Sequence, residues 1–303
     1  MNCARTVTFP GAVSFGHTLA PLRRGPRDPC FRIPGDGTIW RTSLLPSGPV
    51  TARISRLAAD AAHCTAWGNG AREFVEALPA LLGAEDDASG FAPCDPTVAA
   101  AHRRVPHLRL GRTGLVLEAL IPAIIEQRVP GADAFRSWRL LVTKYGTPAP
   151  GPAPAGMRVP PAAEVWRSIP SWEFHRANVD PGRARTVVTC AQRAASLERL
   201  TARPAAAARE ALTSLPGVGV WTAAETAQRA FGDADALSVG DYHVPKMIGW
   251  TLVGRPLDDA GMLELLDPMR PHRHRVVRLL EASGLACEPR RGPRLPVQRI
   301  HSL

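Results

Sequence analysis

Lysine is nearly absent from this 303-residue chain: among 37 basic residues only Lys144 and Lys246 are lysines, and the rest are arginines. Chemistry that needs a lysine amine, such as Schiff-base formation, therefore has few places to reside. Cysteine is sparse and scattered. Cys3, Cys30, Cys64, Cys94, Cys190 and Cys287 include no close pair, which argues against a disulfide scaffold, a zinc knuckle or an iron–sulfur cluster and leaves reduced, mostly packed thiols as the expectation. No stretch approaches the ~18 uninterrupted apolar residues that a membrane span requires. The start, "MNCARTVTFPGAVSFGHTLAPLRRG", has no acid before Asp28 and no continuous apolar core. Its arginine and serine faintly resemble a transit peptide. The alternation of Val7 and Phe9 fits a strand better, and a cytoplasmic protein associated with the nucleoid is expected.

What is abundant is positive charge. The formal net charge is +10, which favours a polyanionic partner. The arginine excess accompanies heavy use of Ala, Pro and Gly, a bias that a GC-rich genome also produces. Charge alone therefore leaves nucleic-acid binding open.

The texture changes near Pro93. Before it, "CFRI", "GTIWRTSLL" and "VTARISRL" are short β-branched or aromatic runs, the first two joined by the turn signal "PGDG". They predict an antiparallel sheet, closed by a helix over "GAREFVEALPALLG". After Pro93 the apolar spacing is helical. "RTGLVLEALIPAIIEQRV" predicts one long helix, and "GADAFRSWRLLVTKYG" a second that ends at Gly146. "TPAPGPAPAGMRVPP" predicts a surface loop. Helices are then expected over "AAEVWRSI", "PGRARTVVTCAQRAASLERL", "PAAAAREALTS", "VWTAAETAQRAFG", "DDAGMLELLDPM" and "HRHRVVRLLEASG". The fold class is α+β, with a β-rich domain over 1–95 followed by an all-helical domain over 96–303.

"LPGVG" lies between two predicted helices and is too short and too glycine-rich to be anything but a turn. Gly217 and Gly219 allow positive φ and leave main-chain N–H groups uncovered at the start of a helix, where the dipole attracts an anion such as a DNA phosphate. A plain helical hairpin with a glycine turn fits equally well.

Three features together resemble the helix-hairpin-helix DNA glycosylase superfamily, within it the bacterial 3-methyladenine DNA glycosylase II group: "LPGVGVWTA" (hairpin about 204–231), the loop "GDADALSVGD" (232–241) that delivers Asp241 ahead of "YHVPKMIGW", and "IIEQRV" around Gln127. The resemblance covers roughly residues 30–285 and implies a two-lobed helical domain. It also implies damaged double-stranded DNA as partner, a monomer and no cofactor. Asp241 would be the catalytic carboxylate, Trp221, Gln127, Glu225 and Tyr242 would line the base pocket, and Gly217, Val218, Gly219, Val220, Thr222 and Arg128 would meet DNA. Family members also hold a monovalent cation on hairpin carbonyls, here those of Thr213, Leu215 and Val218.

The chemistry fits one carboxylate. Breaking an N-glycosidic bond builds positive charge on the deoxyribose, which a carboxylate beneath the sugar stabilises while it orients water. A cationic alkylated base leaves without a second acid. Taken alone, Asp241 ahead of a helix with Pro245 in its first turn reads first as an ordinary N-cap, and the hairpin upstream turns the reading to catalysis. Superfamily members that also cut the backbone carry a hairpin lysine where Trp221 stands, so the resemblance implies a monofunctional enzyme. Trp221 offers a π-face to an extruded base, or else simply packs between helices. Arg128 follows Gln127, where the family places the residue that fills the gap left by flipping. Arg183, Arg185, Arg273, Arg275 and Arg278 are candidates for phosphate contacts, as is the basic tail "EPRRGPRLPVQRIHSL"; His272 and His274 are expected at the surface.

This chain departs from the family in carrying Glu225 one turn after the tryptophan, where a pocket tyrosine is usual, and Leu280 where the last helix usually supplies an aromatic. Both leave the excised base open. Two rivals remain: a glycosylase for another lesion class, and a helix-hairpin-helix module that binds DNA without chemistry.

Overall fold

The computed structural model describes residues 2–289. Most of the basic tail lies outside the described residues. The chain runs β1 (Asn2–Thr8), α1 (Phe15–Leu19), β2 (Phe31–Arg32), β3 (Ile39–Leu45), β4 (Gly48–Arg56), β5 (Ala61–Trp67), α2 (Ala71–Leu81), α3 (Pro96–Arg104), α4 (Val116–Ile125), α5 (Gly131–Tyr145), β6 (Thr147–Pro148) and β7 (Arg158–Val159). It continues through α6 (Ala163–Ser168), α7 (Ser171–Arg176), α8 (Pro181–Gln192), α9 (Ala194–Glu198), α10 (Ala205–Thr213), α11 (Val220–Ala230), α12 (Val244–Val253), α13 (Asp259–Leu266) and α14 (Arg273–Ser283). No helix among the described residues is long and apolar enough to cross a membrane.

The sheet has the antiparallel order β1-β5-β4-β3-β2. Val50, Ala52 and Ile54 alternate inward from β4 and Ala62, Cys64 and Ala66 from β5, packing with Phe74, Val75, Leu78 and Leu81 of α2. "PGDG" turns as expected, with Gly37 N–H donating to Pro34 O at 3.1 Å and Gly37 at φ +74°. β5 was not foreseen. Its inward residues are small, so "AAHCTAW" carries little β-propensity, yet it pairs with both β1 and β4. Small inward side chains suit a strand on which α2 packs.

Among the described residues the helical part has two large apolar cores, beside a small cluster of Ala224, Ala227 and Ala236. One is built around α4 with α5, α6, α8, α10 and α11. The other gathers α3 with α12, α13 and α14, so the helix that follows Pro93 packs with the far end of the chain. The long helix expected through "EQRV" is shorter: α4 ends at Ile125. Glu198 accepts the first two N–H groups of α4, Val116 at 2.8 Å and Leu117 at 2.9 Å, capping it from α9. The Pro-rich stretch is not a bare surface loop. Its ends close as the β6–β7 pair, and Met157 and Val159 are buried.

All six cysteines are free: Cys30, Cys64 and Cys190 are buried, Cys94 and Cys287 exposed. Burial pushes the Cys64 and Cys190 thiols up to about 12, which leaves them inert at neutral pH.

Candidate active site and nucleic-acid interface

The hairpin is α10, a turn through residues 214–219, and α11. Gly217 has φ +83°, and a Cβ there would stand 2.1 Å from Thr186 Oγ1 of α8. Glycine is thus required by the dihedral and by the packing together. Gly219 is different: a Cβ there would meet nothing within 4 Å. Gly219 is the N-cap of α11 and no side chain caps this end, so main-chain N–H groups and the positive end of the dipole face open space. Val220 beside it is 59% exposed. Val218 and Thr222 turn inward and are buried, so only their main chain can meet a ligand. Leu215 O accepts the Val218 N–H at 3.0 Å and keeps a second lone pair, while Thr213 O and Val218 O take no such main-chain donor.

Gln127 belongs to the hairpin. Its Nε2 donates to Gly217 O at 2.9 Å and to Thr222 Oγ1 at 2.8 Å, which commits both amide hydrogens and pins the end of α4 to the turn. Next to it, exposed Arg128 has φ +55°. Left-handed backbone is costly for a non-glycine residue, and here it turns a long cationic side chain outward beside the hairpin.

The loop 232–241 ends at Asp241, which is half-buried. Its Oδ1 accepts the N–H groups of His243 at 2.7 Å and Val244 at 3.0 Å, which closes the turn leading into α12, whose N-cap position is His243. Its Oδ2 accepts Trp221 Nε1–H at 2.9 Å. Asp241 is therefore not the N-cap residue of α12: one oxygen fixes the turn ahead of the helix, while the other meets the indole. Gly240 at φ +90° makes the turn into Asp241, and its N–H donates to Asp259 Oδ1 at 2.9 Å. Tyr242 is 66% exposed, with Lys246 Nζ 3.4 Å from its ring centroid; it lies on the surface beside Asp241.

Several expectations are corrected. Glu225 is not a free pocket acid: Oε2 pairs with Arg229 Nη1 at 2.8 Å and Oε1 accepts the Ser238 hydroxyl at 2.6 Å. Arg183, Arg273 and Arg275 are buried and unavailable to phosphate. Arg183 pairs with Asp180 and donates to Ile125 O and Asn178 O, Arg273 binds Asp235 through two hydrogen bonds, and Arg275 does the same with Asp86. Buried guanidiniums need such partners. Arg278 pairs with Glu281 and donates to His17 O. Of the five arginines, Arg185 alone is exposed and has no ion pair among the described residues; it precedes Thr186, which abuts Gly217. His272 and His274 are also buried. Burial and then the guanidiniums of Arg278, Arg229 and Arg275 hold His274 well below the usual imidazole range. Leu280 is wholly within the second helical core. Ser238, Gln228 and Arg229 were missed. The last two lie at i+3 and i+4 from Glu225 and were open to detection by helical spacing, whereas nothing local marks Ser238.

No protein-family model matches the chain. A 3-methyladenine DNA glycosylase from Archaeoglobus fulgidus superposes with a TM-score of 0.75 at 19% identity, covering 92% of this chain and 98% of that one. An 8-oxoguanine glycosylase/lyase from Clostridium acetobutylicum, solved with double-stranded DNA, superposes at 0.68 with 11% identity, covering 92% and 98%. The chain thus shares the fold of these two DNA glycosylases. In sequence, a Mycobacterium tuberculosis protein described as a "Probable bifunctional transcriptional activator/DNA repair enzyme AlkA" is 28% identical over 242 residues, 75% of this chain. The chain spans just under half the length of that relative, 46%.

Proposed function

We propose that this chain is a monofunctional DNA glycosylase of base excision repair, one that flips an alkylated base of the 3-methyladenine or 7-methylguanine type out of duplex DNA and hydrolyses its N-glycosidic bond. The observation that carries this reading is Asp241, fixed by three N–H donors beside an indole and next to a hairpin whose uncapped α11 N-terminus suits a phosphate. The Asp241 carboxylate stabilises the positive charge that develops on the sugar and orients the attacking water, which adds to the anomeric carbon and gives up a proton to that carboxylate as the base departs with the bonding pair. Trp221 stacks on the electron-poor extruded base. Arg128 fills the vacated position in the duplex, and Gly219, Val220 and Arg185 meet the backbone.

The side chain at the hairpin supports the monofunctional reading. Trp221 has no nucleophilic amine, Lys144 is paired with Glu173 at 2.7 Å, and Lys246 stacks on Tyr242. The product is then an intact strand with an abasic site. The test is incubation of the parent and Asp241→Asn with methylated duplex DNA, followed by assays of free bases and abasic sites. Release of 3-methyladenine or 7-methylguanine by the parent alone supports the reading. Release of 8-oxoguanine from a parallel oxidised duplex instead, or covalent trapping on DNA by borohydride through Lys246, moves the protein to the oxidised-base or lyase classes. DNA binding without any release leaves a binding module.

A further inference from the structure

The loop that presents Asp241 is held from behind by α11. Ser238 is 6% exposed. Its hydroxyl donates to Glu225 Oε1 at 2.6 Å and accepts from Gln228 Nε2 at 2.9 Å. The same Gln228 amide donates to Ala236 O at 2.8 Å. The Ser238 carbonyl in turn accepts the Asp241 N–H at 3.1 Å. Behind Glu225, Arg229 Nη1 pairs with Oε2 at 2.8 Å while its Nε donates to Pro21 O at 3.0 Å. A continuous path therefore leads from the segment between β1 and β2, through one face of α11, to the main chain of Asp241.

We infer that Glu225 and Ser238 are positioning residues, a clamp that sets where the Asp241 carboxylate stands. A hydroxyl-to-carboxylate hydrogen bond is short and strong. With both its oxygens engaged, Glu225 acts on the loop rather than on a base. The position at which the resembled family places a pocket aromatic is thus used here to fix the aspartate from below. Loops are soft unless tied, and a misplacement of ~1 Å at a reacting group can cost about a hundredfold in rate. Arg229 keeps the Glu225 side chain on the Ser238 side, and its bond to Pro21 couples the sheet domain to the same device. The chemical consequence rests on the glycosylase reading; the clamp itself rests on these contacts.

The test uses the full chain with Ser238→Ala, Ser238→Thr, Glu225→Ala and Glu225→Gln, read by hydrogen exchange of the 236–244 segment, single-turnover base release from methylated duplex, and affinity for undamaged duplex. In Ser238→Ala and Glu225→Ala the Asp241 amide should exchange about tenfold faster while β3 and β4 stay protected, and base release should fall about tenfold at saturating enzyme with affinity unchanged within about twofold. Ser238→Thr and Glu225→Gln retain a hydroxyl and an acceptor and should recover most of both. Unchanged exchange in the alanine variants overturns the clamp. Faster exchange with parental base release overturns its role in positioning. A parent that releases no base overturns the glycosylase reading, and with it the catalytic purpose of the clamp, while the exchange result still decides whether the contacts hold the loop.

Discussion

Trp221 Nε1 donates to Asp241 Oδ2 at 2.9 Å, across the gap between the hairpin and the loop that follows α11. One bond thus joins the two motifs that the sequence presents separately, and it sets the aromatic face and the carboxylate side by side. The opposite oxygen of Asp241 accepts the His243 and Val244 N–H groups in the turn that leads into α12. These bonds hold the candidate catalyst from its other side and fix its geometry.

Asp241→Asn tests the carboxylate directly. The amide keeps an oxygen for the His243 and Val244 N–H groups, so the fold should survive, while the negative charge is lost. The barrier should rise by about 2.7–4 kcal/mol, so that base release falls roughly a hundredfold to a thousandfold. Single-turnover assays and a thermal melt of both proteins check this, and loss of rate matched by loss of folded protein would refute it.

Trp221→Phe separates stacking from hydrogen bonding. The ring remains but Asp241 Oδ2 loses its donor, worth roughly 1.5–3 kcal/mol for a bond to a charged group. Trp221→Ala removes both, so it should slow base release more than Trp221→Phe. Equal rates in the two variants would show that the ring contributes nothing to base release.

Gly217→Ala and Gly219→Ala should behave oppositely. At Gly217 the methyl meets Thr186 and the dihedral is left-handed, which should destabilise the fold by about 1–3 kcal/mol. At Gly219 the φ of −89° is ordinary and the space is open, so melting should be unchanged. DNA affinity should nevertheless drop, because the methyl would stand where a phosphate approaches. Denaturant titrations and DNA binding at fixed salt decide the pair.

Stability should fall as pH drops below about 6.5, because His274 is neutral in the fold and free to take a proton when unfolded. The folded-state value lies below the unfolded one, so the unfolded chain binds more protons there, at up to about 1.4 kcal/mol per pH unit for one group. His272, lowered first by burial and then by Arg275, adds in the same sense. Glu198, raised by burial, acts in the opposite sense. The comparison of parent with His274→Gln in denaturant melts at pH 7.5 and 5.5 isolates the histidine, and the variant should lose less stability on acidification.

The sequence by itself determined the features whose signals are short-range. The "PGDG" turn, the alternation along β4, the glycine hairpin and the loop ending in Asp241 each depend on dihedral preference or periodicity within about ten residues. Tertiary structure alone decided β5, whose small residues acquire meaning only between β1 and β4 and beneath α2. It also decided which arginines are free. Arg273 finds Asp235 at a separation of 38 residues and Arg275 finds Asp86 at 189, distances over which no local pattern carries information. Glu225 follows the same rule: on α11 it is an acid one turn past Trp221, and only the return of the chain at Ser238 supplies the hydroxyl that binds it. A buried charge takes whatever partner the fold brings within reach, and burial exists only once the chain has folded.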